Sequence, residues 1–158
     1  YSHLLGESDL TVFGAPPLGK RLDGDFPALL DGAPFLLPGE DVAIRARLEQ
    51  WFEAEGLHPR IVGEFDDSAL LTAFGQAGAG LFVAPTAIAA AVCAQHGVVA
   101  LGRIAALREQ LYAITTERRL THPAIVAIRD AARDEVFAAG NAKRAKGRGQ
   151  SRRAAAKS

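Results

Sequence analysis

Cysteine and methionine are almost missing from this sequence. The 158 residues include one cysteine, Cys93, and no methionine. A single thiol excludes a disulfide framework or a cysteine-based metal site within one chain, so Cys93 is expected to be a small buried apolar residue. Because a bacterial reading frame begins with methionine and residue 1 is tyrosine, we expect the chain to be part of a longer protein.

Long apolar runs are also missing. No stretch reaches the ~18 consecutive apolar residues of a membrane helix, and the N-terminus lacks the basic-then-apolar layout of a signal peptide. These absences predict a cytoplasmic protein with no membrane partner. With 49% hydrophobic and 23% charged residues, the composition is that of about one globular domain, which excludes a protein disordered over most of its length.

The net charge of zero hides an uneven distribution. Seven of the 18 basic residues lie in the tail from Ala138 onward, whereas all 18 acidic residues precede it. This tail has no apolar periodicity, so residues 138–158 are predicted to be disordered. A basic tail can contact nucleic acid phosphates nonspecifically, although a solvated chain end is the more common role.

Strand and helix patterns alternate along the chain. The strand-like segments are SDLTVFG, APFLL, HPRIVGEF, LFVAP, VVALG and LREQLYAITTER. A loop, beginning with APPLG, is expected from the first strand to about Asp31. The helical segments are VAIRARLEQWFEAEG, DDSALLTAFGQAGAG, TAIAAAVCAQHG (with Thr86 as its cap) and THPAIVAIRDAARDEVFAA. The first helix should bury Val42, Ile44, Leu48, Trp51 and Phe52. This alternation predicts an α/β domain with a mostly parallel sheet.

Ligands of such folds bind outside the carboxyl ends of the strands. Three strand-to-helix turns, residues 38–41, 65–68 and 85–86, should therefore meet at one edge, where helix N–H groups converge. The second turn, GEFDDS, contains Glu64, Asp66 and Asp67. Their oxygens are of the kind that coordinates a hard cation. The alternative is that Asp66 or Asp67 caps the next helix while its neighbours face water.

The polar residues do not form a recognisable catalytic group. Ser68 has no histidine nearby in the sequence, and the GxSxG pattern is absent. GQAGAG is the glycine-rich exit of its helix and precedes a strand, which is the reverse of the order in a phosphate-binding loop. The four histidines stand singly at element ends, without metal-ligand spacing: His3, His58, His96 and His122. We therefore predict that the protein is not an enzyme.

The segment GEFDDSALLTAFGQAGAGLFVAPT resembles the second subdomain of LysR-type transcription regulators. In that family a GxGxxxxP stretch forms a strand, and here Gly78, Gly80 and Pro85 match it. LLPGED, WFEAEGL and ERRLTHPAI extend the resemblance over residues 6–128. Within the family these segments are most similar to the activators of sodium/proton antiporter genes. The resemblance implies a two-lobed α/β domain, like a type 2 periplasmic binding protein, that receives a small effector between its lobes.

The resemblance also implies how the chain is organised. It predicts a fragment with one lobe complete and the other partial: 1–34 (partial first lobe with crossover strand and loop), 35–101 (second lobe), 102–137 (return strand and closing helix) and 138–158 (tail). The family's DNA-binding helix-turn-helix is absent from this chain. The implied partners are promoter DNA, bound through that helix-turn-helix, and further copies in a homodimer or homotetramer. The alanine-rich helix of residues 86–96 suits a dimer contact, or equally a buried helix.

The family's effector contacts can be carried over by position. They fall on Gly39, Glu40, Asp41, Asp66, Asp67, Ser68, Pro85 and Thr86, and the acidic turn adds Glu64. Carboxylate effectors are common in the family, but acidic side chains would repel them. The resemblance to activators of sodium/proton antiporter genes implies a response to sodium or pH, and an acidic turn suits a cation. Glu64, Asp66 and Asp67 are therefore the candidate sodium ligands, with no other cofactor expected. The alternative is a solute-binding protein of a transport system, which shares the fold but is exported.

Overall fold

The computed structural model describes residues 1–40, 42–116, 126 and 130. Asp41, the basic tail and all of the predicted closing helix except Val126 and Asp130 lie outside the described residues. Asp9–Glu109 form one compact unit, and Tyr1–Ser8 belong to a second unit with the residues from Gln110 onward. The lobe boundaries implied by the family resemblance stay predictions.

Strands and helices alternate, as the sequence predicts. The strands are β1 (Ser2–Gly14), β2 (Pro34–Pro38), β3 (Arg60–Phe65), β4 (Phe82–Pro85) and β5 (Val99–Ile114). The helices are α1 (Pro16–Gly19), α2 (Ala43–Ala54), α3 (Ser68–Gln76) and α4 (Ala89–His96). Two short 3-10 turns cover Ala28–Leu30 and Thr86–Ile88. No helix in the described part of the chain is long and apolar enough to cross a membrane.

The sheet of the larger unit combines parallel and antiparallel neighbours. β2 and β3 pair in parallel, and Phe35 forms a parallel bridge with Leu81 just before β4. Backbone bonds of 2.8 Å from Leu36 to Leu81 and from Leu81 to Pro34 support that bridge. β1 lies between β4 and β5 and runs antiparallel to β4. The predicted parallel arrangement is confirmed for β2 and β3, whereas β1 departs from it.

One core cluster lies between α2 and the strands. Ile44, Leu48 and Phe52 are buried on α2, as predicted, and the ring of Phe52 meets that of Phe35 edge-on at 5.2 Å. Trp51 is only partly buried beside this cluster. The prediction is wrong for Val42, which is 38% exposed, because it precedes the first turn of α2 and does not share the buried stripe.

A second core cluster joins β1, β2, β4 and the helices α3 and α4. It contains Phe13, Leu36, Leu71, Phe82, Val92 and Val98. Gly75 on α3 lies against the ring of Phe82, where a Cβ would collide with the ring carbons. The missing side chain thus allows α3 to pack closely on β4.

Two local predictions are wrong. The loop expected after β1 begins with the short helix α1, because Pro16 starts a helical turn without needing its missing N–H. The two strands expected in VVALG and LREQLYAITTER form the single strand β5. Gly102 does not interrupt that strand, since the ring of Phe26 fills the space beside its Cα.

In the smaller unit, the described ends of β1 and β5 form a two-stranded ladder. The N-terminal amine of Tyr1 donates to the carbonyl of Thr115 at 2.6 Å, and the Thr115 N–H donates back to Tyr1 at 2.8 Å. His3 Nε2 lies 2.9 Å from the Thr115 hydroxyl. Leu4 and Tyr112 are about half exposed and Ile114 is 84% exposed, so this ladder carries apolar side chains in contact with water.

Candidate effector site

The carboxyl ends of β2, β3 and β4 lie at one edge of the larger unit. β2 and β3 end together, with Pro38 opposite Phe65. The parallel bridge of Phe35 to Leu81 sets β4 in the same direction. We call the described residues that end or follow these strands the strand-end edge: Gly39, Glu40, Asp66, Asp67, Ser68, Pro85 and Thr86. The sequence prediction that three turns share one edge is therefore supported by the strand directions.

Gly39 and Asp66 are in direct contact at this edge. The Gly39 N–H donates to the Phe65 carbonyl at 2.8 Å, which ties the ends of β2 and β3 together. The carboxylate of Asp66 fills the space in which a Cβ at residue 39 would lie. Gly39 is buried, whereas Glu40 is exposed. A glycine at this position is thus required for Asp66 to approach the backbone.

Asp67 caps helix α3. Its Oδ1 accepts the N–H of Ala69 at 2.7 Å and that of Leu70 at 3.2 Å, which satisfies two donors that the helix itself cannot pair. The predicted cap at Asp66 or Asp67 is therefore confirmed for Asp67. Ser68 begins the helix, and its carbonyl accepts the Thr72 hydroxyl at 2.8 Å.

Glu64 is bound by a buried arginine that sequence reasoning missed. Arg45 donates from Nη2 to Glu64 Oε1 at 3.0 Å, from Nη1 to the Pro38 carbonyl at 2.9 Å and from Nε to Glu49 Oε1 at 2.8 Å. The bond to Glu64 raises the pKa of Arg45, the bond to Glu49 adds to this, and burial opposes it. The sequence did contain a signal for this role: Arg45 is a charged residue on the apolar stripe of α2, three residues before Leu48.

The predicted carboxylates have separate partners. Glu64 pairs with Arg45, and Asp67 accepts helix N–H groups. Among the residues that the structure describes, no group of three or more His, Cys, Asp or Glu side chains is arranged to hold a metal ion. The geometry does not test sodium binding directly, and it stays a prediction, as do the effector contacts as a set.

Thr86 has a different role from the predicted helix cap. Its hydroxyl lies 2.8 Å from that of Thr11, a buried residue of β1. The cap prediction is wrong, because a 3-10 turn follows Pro85 and α4 begins only at Ala89, with no side-chain cap. The hydroxyl pair instead joins the end of β4 to β1.

An ion pair between a buried aspartate and an exposed arginine lies close to the same edge. Leu10 is opposite Pro85 in the β1–β4 ladder, which places Asp9 beside the end of β4. The Asp9 side chain is only 6% exposed, and Arg103 of β5 binds both of its oxygens, with Nε at 3.3 Å from Oδ1. Sequence reasoning missed Asp9 and Arg103 because they are 94 positions apart.

The sequence pattern of the LysR substrate binding domain matches residues 2–136. The chain belongs to the LysR family. Over 125 residues it is 39% identical to the transcriptional activator protein NhaR of Escherichia coli (strain K12). That alignment covers 79% of this chain but 40% of NhaR, so the chain spans less than half the length of that relative. The LysR family consists of transcription regulators, so the family assignment argues against an enzyme.

Solved LysR effector domains share the fold. The effector domain of AmpR from Pseudomonas aeruginosa is similar, with a TM-score of 0.56 at 23% identity, over 93% of this chain and 68% of that domain. The CcmR regulatory domain of Synechocystis PCC6803, solved in complex with 2-PG, gives a TM-score of 0.56 at 13% identity, over 87% of this chain and 67% of that one. The predicted LysR effector-domain fold, an α/β fold like that of type 2 periplasmic binding proteins, is confirmed.

Proposed function

We propose that this chain is the effector-sensing and oligomerisation part of a cytoplasmic LysR-type transcription activator similar to NhaR. The observation that carries the proposal is the 39% identity to NhaR over 125 residues. Promoter DNA would be bound through a helix-turn-helix outside this chain. The alternative of a solute-binding transport protein is not favoured, because the family and this relative are transcription regulators.

The strand-end edge is the proposed effector site. It combines a carboxylate at Asp66 with hydroxyls at Ser68 and Thr86. An effector can shift the regulator only if it binds one conformation more tightly than another. Contacts with Gly39 and Asp66 would supply this difference in affinity. The two residues touch at the ends of β2 and β3, so a shift of one strand end changes the position of both contacts.

Sodium or protons are the proposed signal, on the strength of the sequence resemblance. Of the three candidate sodium ligands we assign the role to Asp66, since Glu64 binds Arg45 and Asp67 caps α3. Its contact with the Gly39 backbone would allow a bound cation or a proton to alter the spacing of the two strand ends.

A second copy of the chain is the proposed protein partner. Ile61 and Val62 on β3 are 41% and 39% exposed, and Leu70 and Phe74 on α3 are 52% and 47% exposed. We call these four residues the β3–α3 surface. In the described part of the chain β3 has one neighbour, β2, so its other edge is open to pairing.

Transcription from a promoter that the intact regulator activates tests the proposal. The intact regulator carrying this chain should activate a reporter more strongly in sodium chloride than in potassium chloride of equal concentration. Asp66→Asn should reduce that difference, whereas Asp23→Asn, at an exposed position away from the edge, should not. Activation that ignores the choice of salt would exclude sodium as the signal. Failure to occupy any promoter would contradict the regulator proposal itself.

A further inference from the structure

Arg45 is a charged residue in a buried place. It is 8% exposed, yet it lies on the face of α2 that otherwise buries Ile44, Leu48 and Phe52. We propose that Arg45 is the positioning residue of the effector site, which fixes the ends of β2 and β3 relative to each other. This inference rests on the function proposed above for the strand-end edge.

The guanidinium reaches both strand ends from one helix. Pro38, whose carbonyl it binds at 2.9 Å, is the last residue of β2 and directly precedes Gly39. Glu64, bound at 3.0 Å, lies two residues before Asp66. The remaining bond, to Glu49, holds the guanidinium against α2. One side chain therefore binds the backbone next to Gly39 directly and the end of β3 before Asp66 through the side chain of Glu64.

Stability alone does not account for this arginine. A buried ion pair often contributes no more than an apolar side chain of similar volume, and an apolar residue would extend the existing stripe of α2. The three bonds come from three different nitrogens of the planar guanidinium, an arrangement that a lysine ammonium on a flexible stem does not reproduce. The arrangement thus provides a fixed geometry at the strand ends, which an apolar residue would not.

Arg45→Met is a usable test because it leaves no buried charge behind. The side chains of Glu49 and Glu64 are both 50% exposed, so each can be hydrated once the arginine is gone. Arg45→Lys keeps the charge but loses the fork geometry. Arg47→Met is the matched control, since Arg47 lies on the same helix and donates to the carbonyl of Arg108 on β5, far from the strand ends in sequence.

Hydrogen–deuterium exchange measured by mass spectrometry on the intact regulator reads the restraint directly. Arg45→Met should exchange about tenfold faster in peptides covering residues 36–40 and 63–68, the effect expected for losing a charge-assisted bond. Arg45→Lys should show a smaller increase in the same peptides. Peptides from the β1–β4 ladder should be unchanged in both, and Arg47→Met should leave the strand ends as they are.

Two exchange results would overturn the proposal. One is exchange at the strand ends that stays at the wild-type rate in Arg45→Met. The other is acceleration spread equally over the strand ends and the β1–β4 ladder, which would make Arg45 a general stabilising residue.

A reporter assay adds the link to the effector: Arg45→Met should keep promoter occupancy but lose the salt-selective response. If the variant responds like wild type, positioning by Arg45 is also refuted. If wild type itself shows no response, the proposed signal fails while the exchange result still decides the role of Arg45.

Discussion

The carboxylate of Asp66 occupies the space in which a side chain at Gly39 would lie. This contact joins two turns that are well separated in the sequence and makes each residue depend on the other. Gly39→Ala should therefore lower stability by roughly 1–3 kcal/mol, as overpacking of a close contact does. Asp66→Ala should have little effect.

A double-mutant cycle by thermal or urea unfolding checks this dependence. The variant carrying both changes should be more stable than Gly39→Ala alone, because removing the carboxylate removes most of the collision. Additive effects of the two substitutions would show that Gly39 is required for another reason.

Asp67 should stabilise α3 through its two cap bonds. Asp67→Ala is expected to cost about 1 kcal/mol, whereas Asp67→Asn, whose side-chain oxygen can still accept, should cost much less. Urea unfolding should show a lower midpoint with an unchanged slope for Asp67→Ala. A midpoint equal to that of wild type would argue that the cap contributes nothing.

The features that the sequence predicted well are local. Asp67 was a candidate cap because it stands directly before an apolar-periodic segment, and the ends of β2 and β3 follow from short strands bounded by proline or an acidic turn. The pairs that were missed are distant in sequence: Arg45 and Glu64 are 19 positions apart, and Thr11 and Thr86 are 75 apart. Local periodicity carries no information on which strand lies beside which, so these contacts required the structure.

The strand β5 also shows that a contact distant in the sequence can override a local preference. The sequence predicts two strands, one ending at Gly102 and the next beginning at Leu107, and a glycine often weakens or bends a strand. In the structure the ring of Phe26 lies against Gly102, and the strand continues. A partner from another part of the chain thus reverses a local preference.

Glu109 should make the stability of the larger unit depend on pH. Burial raises the pKa of its carboxyl above the ordinary value of 4.5, and the charge of Arg47 opposes that shift. The proton is held more tightly in the folded state, so its stabilising contribution is complete below pH 4.5 and is lost as pH rises through the raised folded pKa. The Tm should fall over that range for this reason.

Glu109→Gln removes the titrating group and should unfold at a higher temperature than wild type at neutral pH. The two proteins should converge in acid, where Glu109 is protonated. In a protein that keeps Glu109, Arg47→Met should make the Tm fall further as pH rises, because the positive charge that lowers the pKa of Glu109 is gone. A Tm difference between wild type and Glu109→Gln that is constant with pH would contradict this assignment.

The β3–α3 surface should carry self-association. Phe74→Asp places a charge at a 47% exposed position and should convert the oligomer to smaller species without unfolding it. Ala90→Asp is the matched variant on the exposed face of α4 and tests the alternative that this helix forms the contact. Light scattering coupled to size-exclusion chromatography measures both. Loss of assembly in Ala90→Asp alone would assign the interface to α4.

The most direct test of the proposed site is calorimetric titration of sodium chloride into the intact regulator, with potassium chloride as the control. The account predicts heat selective for sodium that is lost in Asp66→Asn and kept in Asp23→Asn. Sodium-selective heat that persists in Asp66→Asn would contradict the proposed site. Equal heats from the two salts would contradict sodium as its ligand.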